Sequence, residues 1–218
     1  MIGSPAVRAL LVAVLGSALY GYALGSAHSE LYAARNLVKF PLLLLGTGVV
    51  CALANHVLAR TLAPTIASAR VRQSVLLAYR DIAVLLAALS PCTGFLAFSM
   101  RTGDDGRLGE YPLFLAFNVG CIAASGLLAV WRQVHRLGDQ PSTRRPALAL
   151  IAASLALSLA VGGQVAFYMR PFFGLPVTRG GAPPFFLGDE PDARGAHNFY
   201  EAVWQVVTAP PLPGEWGR

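Results

Sequence analysis

The chain has 218 residues, 55% of them hydrophobic and only 13% charged, with a formal net charge of +6. So little polar surface excludes an ordinary water-soluble domain of this length, and the basic excess lacks the interleaved aromatics of a nucleic-acid-binding stripe. No nucleic-acid partner and no cofactor are expected. The three cysteines, Cys51, Cys92 and Cys121, have neither CxxC nor Cys/His spacing, and a thiol in apolar surroundings keeps its proton and packs as a small hydrophobe.

Five runs without Asp, Glu, Lys or Arg follow one another: Ala9–Ala27, Phe40–Ala59, Ile82–Met100, Tyr111–Trp131 and Ala147–Met169. Their 19 to 23 residues match the roughly 20 that a helix needs to cross a hydrocarbon core. They are apolar all round, unlike the striped helices of soluble proteins. The expected fold is all-α: a polytopic membrane bundle of five transmembrane helices in residues 1–169, then an extracytoplasmic Pro/Gly/Phe-rich tail in residues 170–218.

The first run carries small residues at four-residue spacing, Ala13, Ser17, Gly21 and Gly25, a ridge that lets another backbone approach closely. Arg8 before it and the small residues at its end also fit a signal peptide. Its length exceeds a usual signal core, so it is read as a retained span. Between the first two runs, Ser29–Val38 reads as an interfacial segment, and Lys39, the sole lysine, sits at the mouth of the second run. Snorkelling to the interface, or contact with a lipid phosphate or anionic partner, are the roles open to it. His56 lies near the other end of that run, at about the level of Arg80 and Asp81, where a structural hydrogen bond is favoured over a proton relay.

Thr65–Arg80 sets Ile66, Val71, Val75, Leu76 and Tyr79 against Arg70, Arg72 and Gln73, the pattern of an amphipathic surface helix. Pro91 falls near the middle of the third run, frees the Ala87 carbonyl and predicts a kink. Pro41, Pro112 and Pro146 fall at or just before first turns, where a missing N–H costs nothing. Arg101–Glu110 is a short turn-rich loop. Asn118 in the fourth run and Gln164 in the fifth are the polar residues that, with Pro91, would line a pathway. Ser154, Ser158 and Gly162 form a second small-residue ridge in the fifth run.

The tail opens on Arg170–Pro–Phe–Phe–Gly174, and Pro184–Phe–Phe repeats its core thirteen residues later. A short helix is expected from His197 to Val207, with Phe199, Tyr200, Val203, Trp204 and Val207 along one face. Phenylalanines are costly to leave in water, so the candidate docking set is Lys39, Arg170, Phe172, Phe173, Phe185, Phe186 and Trp204, with Arg170 paired to Asp189, Glu190 or Asp192. The surface that buries the rings is the bundle's own face or a partner's groove.

Arginine and lysine set orientation. Arg8, Arg60, Arg70, Arg72, Arg80, Arg132, Arg136, Arg144 and Arg145 lie on one side, against Arg35, Lys39, Arg101 and Arg107 on the other. The expected topology is N-terminus in and C-terminus out, in the cell (inner) membrane.

Five spans in this orientation, with Leu89–Ser90–Pro91 in the third, resemble the Yip1-type membrane family, although its Asp-Leu-Tyr-Gly-Pro motif is absent. Lys39–Phe–Pro–Leu–Leu–Leu–Leu45, Arg170–Pro–Phe–Phe–Gly174 and Asn198–Phe–Tyr200 are similar to segments of uncharacterised polytopic bacterial membrane proteins. The resemblance implies a scaffold or trafficking-like role and transfers no catalytic residue. No Ser/His/Asp, Cys/His, HExxH, P-loop or GxGxxG pattern occurs. The expectation is a non-catalytic subunit, anchor or scaffold that contacts membrane lipid, and a protein partner through its outer tail or cytoplasmic loops. The alternative is a small solute transporter or channel subunit.

Overall fold

Apolar composition of this kind satisfies backbone groups in lipid only as helices or closed barrels, and here it gives helices. The structure, a computed structural model, describes residues 5–101, 111–138, 141–172, 184–188 and 195–208. Six helices follow in order: α1 Pro5–Gly25, α2 Glu30–Leu62, α3 Ser68–Arg101, α4 Tyr111–Leu137, α5 Pro141–Met169 and the short α6 Phe199–Thr208. The first five are each long and apolar enough to cross a membrane. Their outward faces carry large apolar side chains such as Leu15, Leu53, Phe95, Phe98, Leu127 and Leu159, all more than half exposed. An apolar surface on this scale suits lipid rather than water.

α1 lies at the centre of the packing, most extensively against α3 and α2; α5 returns to α2, α4 leans on α3, and α6 rests on α5. Glycine explains the closeness on both sides of α1. A Cβ added at Gly16 would lie 2.5 Å from the Ala83 carbonyl oxygen of α3. One added at Gly21 would collide with the Asn36 carbonyl of α2, and one at Gly25 with Tyr32. Ala13 and Ser17 are buried on the same ridge, and Ser17 Oγ donates to the Ala13 carbonyl at 2.6 Å.

Two buried clusters sit at opposite ends. One, near the tail, joins Tyr20, Leu24, Ala27, Phe40, Leu86, Ala97, Phe114 and Cys121. The other joins Ala59, Ala63, Ile66, Val71, Val75, Leu137, Ala147, Leu150 and Ile151.

Helix limits differ from the sequence expectation in three places. Ser29–Val38 is no separate interfacial segment. Ser29 caps α2, accepting from Tyr32 N at 3.3 Å, and the helix then runs 33 residues without a break. Pro41 and Pro146 therefore lie inside α2 and α5 rather than at their starts. Nor is Thr65–Arg80 a helix lying on a membrane surface. α3 begins at Ser68 and continues for 34 residues, and Ile66, Val71 and Val75 pack into the protein cluster instead of lipid. The Arg101–Glu110 loop lies outside the described residues except for Arg101.

Candidate functional site

The site with the most built-in polarity is where the tail meets α2. Arg35, Asn36 and Lys39 fall at i, i+1 and i+4 and so share one helix face. All three donate to tail carbonyls: Lys39 Nζ to Pro171 at 2.9 Å, Asn36 Nδ2 to Phe172 at 2.6 Å, and Arg35 Nη1 to Pro184 at 3.4 Å. Lys39 is fully buried. Its ammonium lies 5.6, 5.0 and 5.5 Å from the ring centres of Phe172, Phe185 and Phe186. Ring faces carry negative charge density, and a desolvated cation gains about 2 kcal/mol from such contacts. They replace the water that a snorkelling lysine would have sought.

The tail backbone closes on itself around this cation. Leu187 N donates to the Arg170 carbonyl at 3.0 Å and Gly188 N to the Tyr168 carbonyl at 3.1 Å. Gly188 turns the chain at φ 59°, a left-handed conformation that favours glycine. Phe172 in turn meets Phe40 edge-on at 5.5 Å, and Phe40 meets Tyr20 at 5.5 Å. An aromatic path thus runs from the tail into the centre of the bundle.

It ends on Asn118, which is fully buried. Asn118 Oδ1 accepts from Tyr20 OH at 2.7 Å and from Thr93 Oγ1 at 3.1 Å, while Nδ2 donates to the Phe114 carbonyl at 2.8 Å. One amide therefore joins α1, α3 and α4.

Gln164 has a different task, accepting from Phe199 N at 3.2 Å at the start of α6. Asn198 Oδ1 accepts from Glu201 N at 2.9 Å, and Glu201 Oε2 accepts from His197 N at 2.9 Å, a reciprocal cap on the same helix. α6 docks on α5 through Phe199, whose ring fills the space left by Gly163, and through Tyr200 OH, which donates to the Ala160 carbonyl at 2.9 Å.

Of the expected docking set, Lys39, Phe172, Phe185 and Phe186 come together. Arg170 stacks 3.6 Å over Phe167 and donates to its carbonyl at 2.9 Å. Trp204 does not dock; it is 69% exposed. Phe173, Asp189, Glu190 and Asp192 lie outside the described residues. Pro91, Asn118 and Gln164 are not brought together as a polar lining. Pro91 borders an apolar groove of about 520 Å³ with Cys92, Phe95, Leu96, Leu113 and Phe117. The Ala87 carbonyl that Pro91 frees accepts instead from Ser90 Oγ at 2.7 Å.

The α5 ridge faces α2. Ser158 Oγ lies 3.5 Å from Cys51 Sγ, and a Cβ at Gly162 would sit 3.5 Å from Thr47. The same antiparallel register sets Asn55 opposite Ser154 and Ala59 opposite Leu150, and the last pair shares a buried cluster. Thr47, Cys51 and Asn55, spaced by four, were a stripe that the sequence reading passed over. Thr47 Oγ1, both amide atoms of Asn55 and Ser74 Oγ are buried without a hydrogen-bond partner among the described residues. An unmet buried polar group costs about 1–3 kcal/mol.

Asp81 was also underestimated. Its side chain is 3% exposed, and it pairs with Arg132 and Arg136 of α4 as well as with Arg80. The i, i+4 spacing of Arg132 and Arg136, which puts both on one face, was the signal in the sequence. His56 is exposed and is not among the partners of Asp81.

Five spanning-length apolar helices and lipid-suited outer faces define an all-α polytopic integral membrane protein. Comparison with protein-family models, curated proteins and solved structures gives no match.

Proposed function

We propose that this chain is a non-catalytic subunit, anchor or scaffold of a membrane-associated complex, inserted with its N-terminus in the cytoplasm and its tail outside. The observation that carries this reading is the anchored tail. Arg35, Asn36 and Lys39 hold one part of it and Gln164 another, yet Val203 and Trp204 face outward, 44% and 69% exposed. A tail tied down at several points while presenting an aromatic edge suits a contact surface better than a flexible tether. The architectural resemblance to Yip1-type proteins is in keeping with such a role.

A photo-crosslinking residue at position 204 tests this in native membranes, with position 159 as a lipid-facing control. The expected result is one discrete protein adduct from position 204 that copurifies stoichiometrically. It should disappear in the Phe172→Ser, Phe185→Ser, Phe186→Ser variant. Lipid adducts alone at both positions would end the proposal.

A transporter or channel subunit is the second reading. It draws on the polar groups of Thr47, Asn55 and Ser74, buried without a partner among the described residues. Solute flux in reconstituted vesicles, abolished by Asn55→Leu, would favour it; absence of flux in the unaltered protein would discard it.

A further inference from the structure

We propose that Arg80, Arg132 and Arg136, gathered around Asp81, bind the phosphodiester headgroup of an anionic phospholipid. The argument begins with charge. Three guanidiniums surround one carboxylate, leaving two positive charges uncompensated within the cluster. Asp81 Oδ1 accepts from Arg80 Nε at 3.3 Å and Nη2 at 2.9 Å, and Oδ2 accepts from Arg136 Nη2. Arg132 Nη1 stands 3.7 Å from Oδ2, beyond hydrogen-bond length. Charge holds it there rather than a hydrogen bond to the acid. Arg136 Nη1 is buried without an acceptor among the described residues, so the single carboxylate does not saturate the set.

Accessibility and chemistry agree. The side chains of Arg132 and Arg80 are 43% and 38% exposed, on either side of a nearly buried acid. Guanidinium forks match the paired oxygens of a phosphate, and the cluster carries more guanidinium charge than its one carboxylate offsets.

Depth points to lipid. Arg80 and Asp81 immediately precede the apolar run Ile82–Met100, and Arg132 immediately follows the run Tyr111–Trp131. Two neighbouring helices therefore leave the hydrocarbon at the same cluster. Trp131 beside it is 58% exposed and stacks edge-on against His135 at 4.8 Å. Exposed tryptophan characterises the headgroup level. The cluster thus sits where phosphates of the bilayer are concentrated.

The test uses the full chain in mild detergent, equilibrated with phosphatidylglycerol and phosphatidylcholine in equal amounts, with retained lipid counted by native mass spectrometry. The expected result is preferential retention of phosphatidylglycerol. That preference should fall at least about tenfold in Arg132→Gln, the loss of one charge-assisted contact. This substitution leaves Asp81 its bonds to Arg80 and Arg136, so the fold is kept. Arg72→Gln removes an exposed arginine outside the cluster and should leave the preference unchanged. Equal loss in Arg72→Gln would reduce the effect to general surface charge and overturn the site. So would the absence of any preference in the unaltered protein. Displacement of phosphatidylglycerol by inorganic phosphate would assign the pocket to a soluble anion and overturn the headgroup assignment.

Discussion

Lys39 Nζ donates to the Pro171 carbonyl oxygen over 2.9 Å, across 132 positions of sequence. A cation on one helix is thereby satisfied by an uncharged carbonyl and three aromatic rings contributed by the tail. The tail completes the environment of a residue that would otherwise seek water, so opening it has an energetic cost.

That cost is measurable by proteolysis. Replacing Phe172, Phe185 and Phe186 together by Ser removes cation–π contacts worth about 2 kcal/mol. Cleavage of the tail that depends on transient opening should then accelerate by about tenfold or more. Protease added to the tail side of sealed vesicles provides the readout. Equal cleavage rates for both proteins would show that the rings hold nothing.

Close packing of α1 on α2 makes the second prediction. Gly21→Leu forces a side chain into the Asn36 carbonyl and Phe40, and overpacking of this kind costs about 1–3 kcal/mol. Leu15→Ile, at a position 68% exposed, should change stability by no more than about 0.5 kcal/mol. Thermal unfolding in detergent should separate the two variants clearly.

Asn118→Leu should destabilise by about 1–3 kcal/mol for each hydroxyl left without its acceptor, those of Tyr20 and Thr93. Tyr20→Phe removes one of these orphans. In the Asn118→Leu background it should therefore cost much less than it does alone. A double-mutant cycle reads this directly, and strict additivity would show that the two side chains act independently.

Orientation rests on the arginine and lysine distribution. A reporter active only outside the cytoplasm should work when fused after Arg218. It should be silent when inserted between α4 and α5, ahead of Arg144 and Arg145. The opposite pattern inverts the topology.

The spans were legible because an uninterrupted apolar run has few other uses. Their lengths were not. In sequence Lys39 bounds the second run and Arg80–Asp81 the third, whereas the helices themselves begin well before them. Here Lys39 is enclosed by rings and Asp81 by guanidiniums, and both helices continue past them. Asn118 was recognisable as a polar residue in an apolar run, but its tie to Tyr20 spans 98 positions and leaves no local trace. In α6 the apolar face was visible, yet the choice between Phe199 and Trp204 as the docked ring depended on the gap at Gly163 of another helix.

The return of α5 to α2 has a consequence for biogenesis. α1, α2 and α3 can assemble in the order in which the ribosome delivers them, since each packs on its predecessors. The face of α2 carrying Thr47, Cys51 and Asn55 has to wait for a helix made much later. A nascent chain that stalls before α5 would expose the Asn55 amide to hydrocarbon, where unmet polar groups are costly. Truncated chains should therefore present membrane quality-control proteases with a mark that the finished protein conceals.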